Sequence, residues 1–361
     1  MFSNNIKSFI MMNIYFLIIV DIILLLAIYF VIIKDKVKTK KYEKSLKNLR
    51  PKVLAYIENE YKLSKLNKAL EKDFDKNVAI DIMLEYSEKN DMNINEKFIY
   101  LHLDAFIIKK IKRKGSIDYI KKLAFMKVET GYDILLENAS AKELEISYMS
   151  FFGLAMINMS IEKKEIAIKK LITSDIFSDR IIELLNKFEL SFEQWLELLE
   201  KEESVEGKVV FIKSINQKEE IEIEENSDRL LRFINDEKEI KIAAILALCS
   251  SKNKKYIDKL VNIYENEENW EVRVSITKGL SKFDFHDVKD ILLKMTKDNE
   301  WWVRFNAVKS IVAMGEEGLF MLVDLSLESG DKNISDLAYY FLNSNKDVYD
   351  TVNDMAKNVE V

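Results

Sequence analysis

The feature that most restricts the fold of this chain is a pattern that recurs four times, 31 or 32 residues apart, in its last third. Each copy opens on a β-branched residue: Ile240, Val272, Val303 and Ile334. Small or apolar residues follow four and eight positions later, as in Ala244 and Leu248, which places them along one side of a helix. The register therefore predicts four successive inner helices with one buried stripe each.

Amphipathic segments precede these inner helices and predict an outer helix for each. They cover residues 228–235, 256–264, 288–295 and 319–327. The chain of 361 residues holds only 8 Gly and 1 Pro, too few for the turns of a sandwich, a barrel or a Rossmann sheet. Because one helix pair cannot bury its own apolar face, repeated pairs stack on each other. We expect an all-α protein built as an α-solenoid of helical hairpins.

The most regular copy, residues 297–308, reads KDNEWWVRFNAV. An acidic turn, then Val-Arg at the start of a helix, then a small residue resembles the HEAT repeat family and its bacterial HEAT-like relatives. The resemblance implies that Asp298, Arg273 and Arg304 form a structural ladder between repeats. Lys241 and Ser335 stand at the arginine position in the flanking copies, so those copies resemble the family more loosely. Richness in Lys, Ile, Asn and Glu is typical of an AT-rich bacterial genome.

Upstream of these copies the pattern weakens. Gly207, Phe211 and Ile215 continue the register, so we place the HEAT-like repeats at 205–361. Residues 53–204 are predicted to be helical and to form divergent repeats. The stretch 217–228, QKEEIEIEENSD, is either an acidic loop between two halves of the solenoid or a solvated outer face.

The N-terminal part of the chain carries a long apolar run. Residues 8–33 contain only one formal charge, Asp21. At ~1.5 Å per residue a helix of this length exceeds the ~30 Å hydrocarbon core of a bilayer. A cleaved signal peptide would have an apolar region of ~7–15 residues ending in small residues, which this run lacks. Residues 1–33 are therefore predicted to be a short external tail and a transmembrane anchor.

Basic residues follow this run and set its predicted orientation. Residues 34–52 hold eight lysines and Arg50 against Asp35 and Glu43. Basic flanks stay in the cytoplasm and attract anionic lipid. We expect a single-pass protein of the inner membrane whose body faces the cytoplasm. Asp21, near the middle of the run, is either a tolerated residue or an assembly contact with another membrane protein.

The sequence contains no pattern that points to catalysis. There are two His residues, His102 and His286, and one cysteine, Cys249, which exclude a cysteine-based zinc site. No phosphate-binding glycine loop and no nucleophile elbow is present. We predict that the chain is not an enzyme and binds no cofactor or metal. Its net charge of −6 argues against a nucleic-acid partner.

Tryptophans near the starts of two inner helices are the candidate partner-binding residues. Trp buries much surface with few torsions and is enriched at binding hot spots. Trp302 has no counterpart in the previous copy, where Glu271 stands, and is expected to be the more exposed. Trp270 and Trp301 are expected to pack on neighbouring repeats. The full candidate set is Trp302, Trp301, Trp270, Arg273, Arg304 and Asp21.

These features together predict a membrane-tethered cytoplasmic scaffold or adaptor that binds a membrane-associated partner protein. Proteins that look like this, with one N-terminal span before HEAT-like repeats, accompany membrane glycosyltransferases in bacterial exopolysaccharide synthesis. The resemblance leaves two alternatives open. HEAT-like folds also grip DNA to excise alkylated bases, which requires a basic concave groove. HEAT-like repeats also occur in bilin lyases, for which no supporting residue is found.

Overall fold

The computed structural model describes the chain at residues 2–215, 227–328 and 330–344, with side chains from Ile23 onward except at 114 and 328. Within these ranges every regular element is a helix and none is a strand, so the all-α prediction is confirmed. The chain divides into two compact units, Met1–Met159 and Ser160–Val361. The predicted boundary at 204/205 falls inside the second unit.

The first unit contains eight α-helices among its described residues. They are α1 Phe2–Ile57, α2 Leu63–Ala69, α3 Asp73–Asn90, α4 Asn95–Tyr100, α5 Leu103–Lys114, α6 Ile117–Met126, α7 Tyr132–Asn138 and α8 Leu144–Met156. The C-terminal part of α1 packs on α3 and buries Leu49 and Val53. Helices α6 and α8 approach closely because Gly153 faces Ala124: a Cβ at Gly153 would lie 2.9 Å from the Cβ of Ala124.

Helix α1 is one continuous element that spans the predicted anchor and the basic segment. Its side chains from Ile23 to Lys41 are exposed, and packing against the body begins at Tyr42. Among the residues whose side chains are described, no helix combines the length and apolarity needed to cross a bilayer. Part of the predicted span at 8–33, including Asp21, lies outside those residues.

The second unit is a succession of helical hairpins. Its described α-helices are α9 Ile161–Ile172, α10 Ser178–Leu185, α11 Phe192–Lys201, α12 Val205–Ile215, α13 Lys238–Ser250, α14 Ile257–Asn266, α15 Trp270–Leu280, α16 Phe285–Met295, α17 Trp301–Val312, α18 Glu316–Glu328 and α19 Lys332–Ser344. Helices α12, α13, α15, α17 and α19 pack in this order, each on the next. These five are the inner helices, and their stacking is consistent with an α-solenoid.

The predicted stripe is buried on every inner helix. The opening residues Ile240, Val272, Val303 and Ile334 are at most 1% exposed. The positions four and eight residues later are at most 2% exposed; they are Ala244, Ile276, Ala307, Ala338, Leu248, Leu280, Ile311 and Leu342. The register of Gly207, Phe211 and Ile215 on α12 is also confirmed, since all three are buried. Burial of each large aliphatic side chain stabilises the stack by about 1.5–3 kcal/mol.

The outer elements agree with the sequence in position but not always in type. Helices α14, α16 and α18 cover the last three predicted segments. The first is a single helical turn at 227–230 followed by the 3-10 helix Leu231–Asn235. The acidic residues 217–226 lie outside the described part of the chain. Helices α9 and α10 pack on α12, so part of the region predicted as divergent repeats joins this unit.

Candidate partner-binding face

A buried ion pair links two successive repeats. The Nε and Nη2 atoms of Arg273 on α15 each donate to Asp298 at 3.0 Å. The hydroxyl of Tyr264 on α14 donates to the same carboxylate at 2.5 Å, and the backbone N–H of Glu300 donates at 2.8 Å. The side chains of Arg273 and Asp298 are only 13% and 7% exposed. The ladder that the resemblance implied is present here for Arg273 and Asp298, whereas Arg304 donates within its own repeat.

Lysine forms the equivalent rung one repeat earlier. Lys241 Nζ lies 2.9 Å from Glu267 Oε2, and the backbone N–H of Asn269 donates to the other oxygen of Glu267. Lys208 and Asp236 form a longer pair, 3.5 Å, in the repeat before. The sequence match at Lys241 is looser, but the arrangement repeats. A cation on one inner helix pairs with a carboxylate in the turn before the next inner helix.

The electrostatics of the buried rung favour its charged form. Burial alone would raise the pKa of Asp298, but hydrogen bonds from Arg273, Tyr264 and Glu300 outweigh it, so this pKa lies below its usual value. Burial and the neighbouring Asp298 raise the pKa of Tyr264, which keeps its hydroxyl protonated as a donor. Arg304 binds its own turn through the carbonyls of Asp298 and Asn299, at 2.8 and 2.9 Å.

Arg273 therefore holds two successive repeats in register, whereas Arg304 ties the start of α17 to its own turn. All three guanidinium nitrogens of Arg273 donate inside the molecule, and Arg304 donates through Nη1. Their direct contact with a partner stays a prediction, whereas their structural role follows from the hydrogen bonds.

A cluster of aromatic side chains lies on α17 and α19 at one end of the stacked inner helices. Trp301 stacks on Phe305, with ring centroids 5.0 Å apart and planes 27° apart. Trp302 meets Trp301 edge to face at 4.7 Å. Phe305 contacts Phe341 at 5.1 Å, and Phe341 contacts Tyr340 at 5.4 Å. These five residues are called the aromatic cluster below.

Much of this cluster faces solvent. Trp302 is 52% exposed, which confirms the expected exposure. Trp270 and Trp301, which were expected to pack on neighbouring repeats, remain 39% and 47% exposed, and Trp270 lines a groove with residues of α13. Both stand two residues before the first buried residue, where the helix has just begun and neighbouring helices cover them only in part. Tyr340 is 60% exposed.

Shallow grooves run between adjacent inner helices. A groove of about 250 Å³ between α13 and α15 is lined by Ile242, Leu246, Trp270, Val274 and Lys278, among others. A smaller one of about 170 Å³ between α15 and α17 is lined by Lys278, Asn306 and Lys309, among others. Lys278 and Lys309 are exposed and make no ion pair with a residue that the structure describes. The inner face is thus apolar and aromatic, with basic points between the helices.

Sequence reasoning missed Phe305, Phe341, Lys278 and Lys309. For all of these except Phe341, the signal was available in the register. Positions two and six residues after the opening residue of each inner helix hold Val274 and Lys278 in one copy, and Phe305 and Lys309 in the next. A helix whose buried stripe follows positions 0, 4 and 8 presents positions 2 and 6 away from that stripe. The same count predicts the inner surface in every copy.

The residues most able to support chemistry are dispersed. His286 Nε2 lies 3.0 Å from Glu317 on the outer side of the unit, where both side chains are largely exposed. Cys249 is buried, and burial raises the pKa of its thiol to about 12. Among the described residues, no group of three or more His, Cys, Asp or Glu could hold a metal ion.

Comparison with known proteins agrees with the geometry of the second unit. The fold and the ladder define a helical-repeat protein whose inner face is open. Residues 257–339 match the family described as HEAT repeats, a range that runs from α14 into α19. No curated protein matches the chain. HEAT repeats indicate a helical scaffold or a protein-interaction role, and they support a protein as the partner.

Proposed function

We propose that this chain is a membrane-tethered scaffold that binds a partner protein on the inner face of its second unit. The observation that carries the proposal is the exposed aromatic cluster. Monomeric proteins seldom leave several contiguous aromatic side chains in water, and such patches mark interaction sites. Trp and Tyr on helices held by buried ion pairs lose little entropy when they are covered.

The chemistry of the face defines the segment that would bind it. Apolar side chains of the partner would fill the groove beside Trp270 and Val274, and carboxylates of the partner would pair with Lys278 and Lys309. These two lysines stand at equivalent positions of successive repeats, so their spacing follows the repeat of the stack. The partner segment is therefore an amphipathic stretch with one apolar side and acidic residues beside it.

The proposed tether is the N-terminal part of α1. Its described apolar side chains from Ile23 to Ile33 are 42–68% exposed on all sides of the helix wherever they are large. A helix that is apolar all round suits a lipid or a protein interior rather than water. The lysines that follow favour a cytoplasmic position for the body at the inner membrane. Attachment there raises the effective concentration for a membrane-bound partner.

Within this proposal the partner class is a membrane glycosyltransferase of exopolysaccharide synthesis, with the chain as its accessory component and no catalytic step of its own. Support for this narrower part is the combination of one apolar N-terminal helix with HEAT-like repeats. No observation in the described structure favours a DNA-repair or bilin-lyase activity, so neither is proposed.

Site-specific photo-crosslinking in the native host tests the scaffold role. A photoreactive phenylalanine replaces Trp302 in one strain and Phe320 in the other. Phe320 is a matched control because it is 47% exposed but stands on the outer helix α18. We expect a covalent adduct with a membrane protein from position 302 that charge reversal at Lys278 and Lys309 removes. No adduct from position 302, or the same adduct from position 320, would contradict the proposal.

A further inference from the structure

The C-terminal end of α5 is a second basic element of the first unit. Between residues 109 and 118 the sequence holds four lysines and Arg113 against one carboxylate, Asp118. Lys109, Lys112 and Arg113 are exposed and form no ion pair with a described residue. The three are called the α5 basic tip below. In sequence it is far from the basic stretch of α1, so nothing local relates the two.

Helix α5 runs antiparallel to α3. Lys110 on α5 pairs with Asp73, the first residue of α3, at 2.6 Å. One turn earlier on α5, the ring of Phe106 faces Lys76, one turn further along α3, at 5.3 Å. The C-terminal turn of α5, after Lys110, therefore extends beyond the N-terminus of α3.

The N-terminus of α3 is level with the exposed part of α1. Lys41 Nζ lies 4.4 Å from the ring centroid of Phe74, and Ser45 donates to Asp75 at 2.6 Å. Further along both helices Arg50 pairs with Glu85 at 2.8 Å. Since α3 follows the direction of α1 away from the apolar run, α5 points back toward that run.

Taken along parallel helix axes, these positions give the distance from the tip to the apolar residues. The axial distance from Ile33 to Lys41 is about 12 Å. The last turn of α5 continues beyond the level of Lys110 by about 5 Å in the direction of Ile33. The α5 basic tip thus lies within about one Debye length, ~8–10 Å, of the level where the apolar run ends.

Few carboxylates offset this charge. Asp73 pairs with Lys110, whereas Asp75 accepts a hydrogen bond from the neutral Ser45 and keeps its charge. On α1, residues 34–47 hold seven lysines against Asp35 and Glu43. Two helices from distant parts of the sequence therefore present basic side chains around the same end of the first unit.

We propose that the α5 basic tip binds the anionic headgroups of the bilayer and so fixes the orientation of the first unit against the membrane. The proposal rests on the membrane attachment proposed above. Lipid is favoured over nucleic acid because the basic surface surrounds a helix that continues directly into exposed apolar residues. Each basic side chain close to an anionic surface strengthens the contact about five-fold.

The test uses the full chain in vesicles with a fluorophore at position 116, in the loop after α5. The substitution Ser116→Cys supplies the only reactive thiol, since Cys249 is buried and its pKa is raised. A matched label at Asn90→Cys sits at the other end of α3, about 25 Å further from the membrane. The vesicles carry a quencher on a lipid headgroup, and quenching of the fluorophore is measured in phosphatidylcholine vesicles with and without phosphatidylglycerol.

We expect phosphatidylglycerol to increase quenching at position 116 but not at position 90. Salt at about 1 M, where the Debye length is ~3 Å, should remove the increase. Lys112→Glu with Arg113→Glu should also remove it. The same reversal at Lys62 and Lys89, exposed residues just after the end of α1 and at the end of α3, should leave it intact.

The outcomes separate the two proposals. Binding to the vesicles is measured by flotation in a density gradient. A chain that floats with neither kind of vesicle would overturn the membrane attachment itself. A chain that floats but gives equal quenching with and without phosphatidylglycerol would overturn only the role of the α5 basic tip. Binding of duplex DNA by the full chain in detergent, lost on the same reversal and without any lipid effect, would assign the tip to nucleic acid instead.

Discussion

Replacement of Asp298 by alanine is expected to destabilise the second unit by about 2–4 kcal/mol. Breaking a fully buried ion pair by removing one partner costs about 3–5 kcal/mol, because a charge is left without compensation. The cost is lower here because Arg273 keeps its hydrogen bonds to the carbonyls of Glu267 and Glu268 and retains slight exposure. The hydroxyl of Tyr264 loses its acceptor and adds to the cost.

Urea unfolding followed by tryptophan fluorescence measures this effect, since Trp270 and Trp301 stand beside the rung. Glu265→Ala is the matched control. It removes another pair between successive repeats, with Lys294 at 2.6 Å, but both side chains are largely exposed. Surface pairs contribute less than about 1 kcal/mol. The two variants are compared at equal dependence of unfolding free energy on urea concentration. If Asp298→Ala lowers the unfolding free energy no more than Glu265→Ala, the ladder does not hold the repeats together.

The same rung gives a dependence on pH with a defined sign. The pKa of Asp298 in the folded chain lies below its usual value. Its stabilising contribution is therefore fully present above about pH 4 and is lost as pH falls through the folded pKa. The difference in unfolding free energy between wild type and Asp298→Asn should be constant from neutral pH to about pH 4 and shrink below that. A difference that shrinks already near neutral pH would refute this assignment.

Three further predictions follow from packing and burial. Gly279→Ala should lower the free energy of urea unfolding by about 1–3 kcal/mol, because its Cβ would lie 2.3 Å from Cys249 Sγ. Cys249→Ala should reduce that loss, and equal losses in both backgrounds would contradict the contact. Cys249 should react with an aromatic disulfide reagent only on unfolding, as its thiol is buried with a pKa of about 12. Deletion of residues 1–33 should leave the melting of the first unit unchanged, whereas deletion of residues 1–57 should abolish it, since only the latter removes the buried face of α1.

The sequence predicted the buried side of the inner helices best, because a repeated pattern of apolar residues marks it. A β-branched or aliphatic residue followed by small or apolar residues at positions four and eight leaves a helix only one side to bury. Ile240, Val272, Val303 and Ile334 accordingly all open buried stripes. The rung at Lys241 was harder to recognise, because lysine and glutamate replace arginine and aspartate while the geometry stays the same.

The periodic pattern did not predict how exposed the first residues of a helix are. It also did not predict which distant helices contact each other. Trp301 begins a helix, so its burial depends on how neighbouring helices tilt, and the structure leaves it half exposed. The position of α5 beside α3 is marked by the pair Lys110–Asp73, which joins residues 37 positions apart. Periodicity carries no information about such a pair, because each partner is an ordinary charged residue on a solvated helix face.

The affinity of the full chain for its crosslinked partner, measured with single alanine substitutions, tests the central claim most directly. Trp302→Ala should weaken binding by about 30-fold, as expected when a central aromatic anchor worth about 2 kcal/mol is removed, with urea unfolding unchanged. Phe320→Ala, which removes a comparably exposed aromatic ring from an outer helix, should leave the affinity within about two-fold of wild type. Equal affinities for wild type and Trp302→Ala would contradict the assignment of the inner face as the binding surface.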